Sequence, residues 1–475
     1  MKNNHWIRGG LLFEPLPFSD IEQLPLPAQV TVSVAANATV AVATGEHVLT
    51  GQPLIHPSDN HVMSHASLSG TVTATTARSV TIKSDNRDKP YIHNNKPADY
   101  KSLFQSMGLV GLGGAAYPAF KKLLQSKTGT GVNTLLINAA ECDPAIYCDE
   151  ALMQERAADV VKGIQVARKA TGAANCIVGI EKNKTAAIEQ LQQHLPANIT
   201  LAVVPAVYPV GAEQTLFKQC TGMDGSLQHN NALCFNVATC YSMYRAVELS
   251  QPLISRIVTL VHRDRAANFE LRIGTPLSYL ETATGTAMNS RLIEGGRMTG
   301  RSISKDRFIE KHTNSLILQP EKSTPAKPCI RCGACAEVCP ENLYPQQLYW
   351  HTQPHNTVAL KGLKLEQCID CACCDAVCPS HIPLTGLFNK ALHTIKAEKD
   401  EQVKAALAKL RYEKRQSRLN DQSVRERKKL DDKTADLANA NQTTDAKKAL
   451  IAKALQRSKN KKSMEAGVRS KDPDH

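Results

Sequence analysis

Eight cysteines fall into two short runs, "CIRCGACAEVCP" at residues 329–340 and "CIDCACCDAVCPS" at residues 368–380. Each run has the spacing C-x2-C-x2-C-x3-C-P, with Cys329, Cys332, Cys335 and Cys339 in the first and Cys368, Cys371, Cys374 and Cys378 in the second. A thiolate at every third residue of a tight loop can occupy three corners of a [4Fe–4S] cubane, while the fourth cysteine turns away toward the other cluster. The spacing therefore predicts crossed ligation: Cys329, Cys332, Cys335 and Cys378 around one cluster, and Cys368, Cys371, Cys374 and Cys339 around the other. The fourth cysteine of each run is expected to begin a helix, with Pro340 and Pro379 keeping the chain from folding back over the cluster. Zinc knuckles would need two ligand pairs separated by a longer loop, not four cysteines packed this closely. Cys373 breaks the spacing if taken as a ligand and reads as a small buried residue.

The module resembles a bacterial two-cluster ferredoxin. Such clusters move one electron at a time, so two in series form a wire, and the sequence upstream should hold a donor. "GLVGLGGAAYPAFKKLL" places Gly108, Gly111, Gly113 and Gly114 ahead of a helix opened by Pro118, with Lys121 and Lys122 following. Glycines let backbone approach a phosphate, and a helix start favours its charge. The loop is neither a Walker A nor a G-x-G-x-x-G motif, and a plain tight turn reads equally well. Next, "LLINAAECDPAIYCDEALMQER" carries an apolar strand into Asn138, followed by Glu141 and Asp143. Acidic groups beyond a strand end can bond ribose or position a nicotinamide; a helix cap with solvated carboxylates is the alternative.

Taken together, the order G-x-x-G-x-G-G-A-x-[YF]-P-x-x-x-K and then I-N-x-x-E-C-x-P resembles the NADH- and FMN-binding core of the respiratory complex I flavoprotein subunit. More closely still, it is similar to the RnfC family, the flavoprotein-like members of the Rnf/Rsx-type ion-translocating electron-transport complexes. "YPVGAEQTL", "CFNVATCYS", "LRIGTP", the GG-x-M segment at Gly295 and both cysteine runs follow in that family's order, and the likeness covers most of residues 1–395. It implies that Gly108, Gly111, Gly113, Gly114 and Lys122 cradle the phosphate of a non-covalent FMN. It also implies that Asn138, Glu141 and Asp143 line the flavin and nicotinamide face, that Glu213 sits over the nucleotide site, and that Asn236 and Thr239 touch the flavin. The chain departs from the family at Ala116 (usually Gly), Tyr117 (Phe), Ala119 (Thr) and Asp143 (Glu). Flavin joins two-electron hydride to one-electron clusters, and hydride transfer needs no acid–base residue, so none is nominated as catalytic.

The elements that must position these residues are legible in outline. A chain of 475 residues is too long for one core, and the expected class is multidomain α/β and α+β. Residues 1–97, rich in β-branched residues with Gly and Pro punctuation, resemble the barrel-sandwich hybrid of biotinyl and lipoyl carriers, yet the turn "TTAR" offers no lysine to modify. Residues 98–250 alternate apolar strands ("TLLINA", "NCIVGIE", "LAVVPAVYP") with helical stretches, the longest "DEALMQERAADVVKGIQVARKAT", as a largely parallel flavin/NADH-binding α/β sheet would. Residues 251–322 return to β signals in a small β-grasp-like domain, 323–395 hold the cluster module, and 396–475 form a basic helical tail ending in disorder at "SKDPDH".

The net charge of +13 is concentrated in that tail: residues 396–475 carry 22 Lys+Arg against 13 Asp+Glu, or +9. The charge describes a tail and argues against nucleic-acid binding. No apolar run approaches the ~18 residues of a membrane span, and "MKNNHWIRGG" lacks a signal pattern. Fifteen cysteines without such a signal read as reduced thiols or ligands rather than disulfides. The resemblance implies a peripheral subunit on the cytoplasmic face of a bacterial inner membrane. It would accept hydride from NADH and pass electrons through two [4Fe–4S] clusters to partner subunits, a ferredoxin-like one among them, with the tail touching anionic lipid or an acidic partner. Two other classes fit part of the pattern: a cluster-carrying electron-transfer or scaffold protein without flavin, which Ala116 and Ala119 favour, and a soluble NAD-dependent dehydrogenase with clusters.

Overall fold

A computed structural model describes every residue except 1–8, 94–98, 126–131, 287–290, 320–323, 441–443 and 468–475. The disorder expected at "SKDPDH" and the segment "MKNNHWIR" lie outside the described residues. The chain divides into two units, Met1–Leu392 and His393–His475.

In the first unit, Gln29–Ser33, Ser79–Ser84, Gly70–Thr75 and His47–Val48 form an antiparallel four-stranded sheet in that order. Alternation along these strands sends Val30, Val32, Val72, Val80 and Ile82 into one apolar core. The expected hairpin is the pair Gly70–Thr75 and Ser79–Ser84.

The second sheet is wholly parallel, in the order Thr200–Val204, Asn175–Glu181, Thr134–Asn138, Ala232–Asn236. Strands buried on both faces read as continuous apolar runs, and "TLLIN" and "ALCFN" are such runs. The crossover "DEALMQERAADVVKGIQVARKAT" is two helices, Cys148–Glu155 and Ala157–Thr171, rather than one. Arg156 leaves helical geometry at φ −130°, and its guanidinium reaches Glu270 Oε2 at 2.9 Å and the Tyr241 hydroxyl at 2.8 Å. Those tertiary bonds override the helical propensity of the segment.

A third sheet has six strands, ordered Phe18–Gln23, Arg265–Arg272, Ser255–His262, Ser315–Gln319, Arg291–Glu294, Arg301–Ile303. Its first strand comes from the N-terminal segment and pairs in parallel with Arg265–Arg272. This sheet is fastened to the parallel one around Tyr147, which stacks on Phe18 at 4.9 Å and accepts a 2.7 Å hydrogen bond from Leu16 N on its hydroxyl. Its backbone N–H donates to Thr259 Oγ1 at 3.0 Å. Each cysteine run makes one short helical turn, Ala334–Glu337 and Cys373–Ala376. Cys339 and Cys378 follow these turns rather than beginning a helix, because the turn is already spent between the third and fourth cysteines. Cys373 is fully buried.

The second unit contains most of the helix Leu384–Ala440 and the helix Thr444–Gly467. The described side chains of residues 401–437 are all exposed. Among the described residues, no helix is long and apolar enough to cross a membrane.

Candidate functional site

Ligands of parallel α/β sheets sit beyond the carboxyl ends of the strands, and there the chain opens a cavity of about 960 Å³. Ten of the eleven residues expected at the flavin and nucleotide site line it: Gly111, Gly113, Gly114, Lys122, Asn138, Glu141, Asp143, Glu213, Asn236 and Thr239. Gly108 does not. It sits at the root of the loop, where an added Cβ would stand 2.6 Å from Met63 O.

The glycine loop is closed at its base by Gly111 N donating to Tyr117 O at 2.8 Å and Ala119 N to Leu109 O at 3.1 Å. The helix Ala119–Gln125 begins one residue beyond Pro118. Thr239 is buried, and its hydroxyl accepts the Leu112 N–H at 2.9 Å, pinning the loop to the facing helix Val237–Glu248. Asn236 caps that helix, accepting from Ala238 N at 2.9 Å and Thr239 N at 3.3 Å, and donates to Asp149. Asn138 spends its side chain similarly, donating to Gly211 O at 2.8 Å and accepting from Ala140 N at 3.0 Å. Lys122 Nζ reaches Glu213 Oε1 at 3.0 Å and Cys234 O at 2.8 Å.

The acidic pair of the E-C-x-P segment is committed to backbone as well. Glu141 accepts from Asp149 N and Glu150 N, both at 2.9 Å, and from the Cys148 thiol at 3.3 Å. Burial, then the Asp149 carboxylate, pushes its pKa up to about 8, against the pull of Lys184 and the two N–H groups. Asp143 accepts from Arg297 N at 2.7 Å, Met298 N at 3.2 Å and Ala145 N at 3.3 Å. Burial raises its pKa while those donors oppose the shift. Asp143 thus ties the parallel sheet to the turn that begins at Gly295.

Sequence reasoning missed a further wall. Glu294, Thr299, Arg301 and His312 from the six-stranded sheet line the cavity, as do Tyr208 and Pro209. Their only sequence signal was proximity to the GG-x-M segment and to "YPVG". Ile369, Asp370 and Cys371 also line it, so the cavity abuts the second cysteine run. The Tyr208 hydroxyl donates to Cys371 O at 2.7 Å.

The eight cysteines line two small cavities. One is bordered by Cys329, Cys332, Cys335 and Cys378, the other by Cys339, Cys368, Cys371 and Cys374. Each has three sulfurs from one run and the fourth from the other, a donor set that fits two cubane clusters with crossed ligation. Leu343 N donates to Cys339 Sγ at 3.4 Å, a contact that favours the thiolate. The large cavity also fits a flavin mononucleotide: a backbone loop with glycines at three lining positions, a lysine, and a wall shared with a cluster ligand.

Residues 104–245 match the family of the Nuo51 FMN-binding domain, 328–382 the 4Fe-4S dicluster domain, and 18–95 the RnfC barrel sandwich hybrid domain. The chain carries an FMN-binding domain and a two-cluster iron–sulfur domain. It is 35% identical to the RnfC-type component of the ion-translocating oxidoreductase complex of Edwardsiella ictaluri (strain 93-146), over 92% of this chain and 58% of that one. Against the same component in Yersinia pestis bv. Antiqua (strain Antiqua) it is 38% identical, over 85% of this chain and 69% of that one. Against that of Klebsiella pneumoniae (strain 342) it is 36% identical, over 84% and 58%. The chain therefore spans roughly three-fifths to two-thirds of the length of these relatives. A solved NAD+-reducing [NiFe]-hydrogenase in the H2-reduced state superposes with a TM-score of 0.42 and 16% identity, covering 64% of this chain and 61% of that one, too loose a likeness to add to the fold.

Proposed function

Because the chain belongs to the RnfC family of ion-translocating oxidoreductase complexes, we propose that it is the electron-input subunit of such a complex, accepting hydride from NADH at a bound FMN and sending single electrons through two [4Fe–4S] clusters. The observation that carries this reading is the shared wall: Cys371, in the sulfur set of one cluster cavity, also lines the 960 Å³ cavity that the glycine loop borders. The chemistry a bound flavin supplies is the change from a two-electron hydride to single electrons.

The chain's own part is placement. The Gly111–Gly114 backbone approaches the phosphate, Thr239 holds that loop through Leu112, and Lys122 supplies a positive charge. Tyr208 holds the Cys371 loop against the cavity. Glu141 and Asp143 shape the site by fixing a helix start and the Gly295 turn, and Glu213 holds Lys122. Residues 1–97, 98–250, 251–322 and 323–395 act as sandwich, flavin, β-grasp-like and cluster domains, with 396–475 as a basic tail. The subunit is peripheral, on the cytoplasmic face of the inner membrane, and hands electrons to a ferredoxin-like partner.

Anaerobically purified full chain tests this. We expect about eight irons and one FMN per chain, and NADH should bleach the flavin and then the clusters. Protein with full iron but no flavin, even after incubation with FMN, would favour a flavin-free electron carrier. Flavin that dithionite reduces and NADH does not would remove NADH as the donor.

A further inference from the structure

Charge accounting around the large cavity is lopsided. Six carboxyl residues line it, Glu141, Asp143, Asp149, Glu213, Glu294 and Asp370, against two permanent cations, Lys122 and Arg301. Lys122 stands with the glycine loop, bonded to Glu213 and Cys234 O. Arg301 stands on the wall contributed by the six-stranded sheet, and nothing in the flavin reading uses it.

Its guanidinium is held in place from behind. Glu294 and Arg301 face each other across an antiparallel strand pair, and Glu294 Oε2 accepts from Arg301 Nε at 3.1 Å and Nη2 at 2.8 Å. The Glu294 side chain is only 4% exposed against 59% for Arg301. Burial pushes the Glu294 carboxyl up, but hydrogen bonds from His312, Thr313 and Arg301 outweigh it and hold the pKa at about 2. Thr313 Oγ1 donates to the other carboxylate oxygen at 2.5 Å, and His312 Nε2 stands 2.7 Å from Arg301 Nη2. Among the described residues Arg301 Nη1 has no hydrogen-bond partner. The turn preceding Arg301 is bolted to the parallel sheet through Asp143. An arginine with one edge fixed on a buried carboxylate and the other edge open is preorganised for a phosphate, which a planar fork recognises in two places.

We propose that Arg301, oriented by Glu294, is the phosphate clamp for the pyridine dinucleotide, on the wall across from the glycine loop. This deepens the NADH reading and rests on it. The dinucleotide brings a two-phosphate bridge into a cavity otherwise lined with carboxylates, so an open cation there decides affinity. At about 960 Å³ the cavity is at the top of the ~300–1,000 Å³ range of single-ligand clefts, with room beyond what one mononucleotide occupies.

The test compares two hydride donors on the full chain loaded with FMN: NADH, and dihydronicotinamide riboside, which carries the reactive ring without phosphates. Stopped-flow bleaching of the flavin gives kcat/KM for each. In Arg301→Gln the ratio of NADH to riboside should fall about ten- to hundredfold, the loss of one charged hydrogen-bonded contact. Arg301→Lys, which keeps charge and bulk but loses the fork, should recover part of that ratio, and it replaces Arg301→Gln if the latter does not fold. An unchanged ratio overturns the proposal, as does an equal loss for both donors. Folded variant that purifies without flavin also overturns it, since Arg301 would then serve the FMN phosphate. Wild-type flavin reduced by the riboside but not by NADH would instead strike the NADH reading itself.

Discussion

Gly296 and Asp143 offer a test of how the two sheets are joined. A Cβ on Gly296 would stand 1.9 Å from Asp143 Oδ2 and 2.1 Å from its Cγ. Alanine at 296 therefore cannot coexist with the carboxylate where it is. Asp143 accepts three backbone N–H groups, each worth roughly 1.5–3 kcal/mol for a charged acceptor. The desolvation that raises its pKa returns part of that sum, leaving about 3–4 kcal/mol. We expect Asp143→Ala and Gly296→Ala each to cost about that much, since the second expels what the first deletes. In the double variant the methyl enters space the carboxylate has vacated, so its added cost should be within ~0.5 kcal/mol and the coupling about 3 kcal/mol. At about 2 °C per kcal/mol for a large unit, each single variant should lower the apparent Tm by roughly 6–8 °C and the double by no more. Flavin fluorescence released in an anaerobic scan at fixed rate reads this. Additive losses in the double variant would show that Gly296 and Asp143 are not in contact.

Cys378→Ala should damage the cluster held by Cys329, Cys332 and Cys335 and spare the one held by Cys368, Cys371 and Cys374, as read by EPR of the reduced protein; the reverse pattern would refute crossed ligation. Gly113→Val should abolish FMN retention at unchanged fold, because a Cβ there meets only Asn236 at 3.6 Å, an ordinary contact, and the added bulk falls on the cavity; a yellow variant with stoichiometric FMN would remove the loop from the site. For Glu141, whose folded pKa is pushed up to about 8, the folded chain keeps a proton that the unfolded chain has lost. Stability from this group is therefore lost as pH rises from the ordinary carboxyl range to about 8, by up to ~1.4 kcal/mol per pH unit. Glu141→Gln should flatten that slope between pH 5 and 8 in unfolding measurements, and an unaltered slope would assign it to other groups.

The cysteine ligands were legible because ligand spacing on a tight loop is a local property. The parallel sheet was legible for the same reason: "TLLINA" and "NCIVGIE" are continuous apolar runs. What the sequence hid is tertiary. "DEALMQERAADVVKG" reads as one helix until Arg156 is drawn out by Glu270, more than a hundred residues away. The strand Phe18–Gln23 gains its partner only at residues 265–272. Motif positions pointed to the right cavity, but not to what the side chains do there. Asn138, Asn236, Glu141 and Asp143 were expected to face ligand, and each spends hydrogen bonds on nearby backbone instead. Such roles follow from which N–H groups lie uncapped at a strand end or helix start, and composition does not record that.

The same logic of backbone held by backbone explains why the flavin cavity and the nearer cluster stay in register. Cys339 and Cys371 come from different runs but border the same small cavity. Each is anchored from outside its own run. Gly10 N donates to Val338 O at 2.9 Å, next to Cys339, and Leu11 exchanges two 2.9 Å hydrogen bonds with Tyr208, whose hydroxyl donates to Cys371 O. A Cβ at Gly10 would stand 2.5 Å from Tyr208 O, so this crossing tolerates only glycine. A short N-terminal stretch and one tyrosine thereby fix both sides of a single cluster site to the wall of the cavity. Electron transfer between neighbouring centres needs their separation held constant rather than any side chain placed between them. These residues hold it with main-chain hydrogen bonds, which depend little on side-chain identity, so the residue pattern around Gly10 carried no sign of the role.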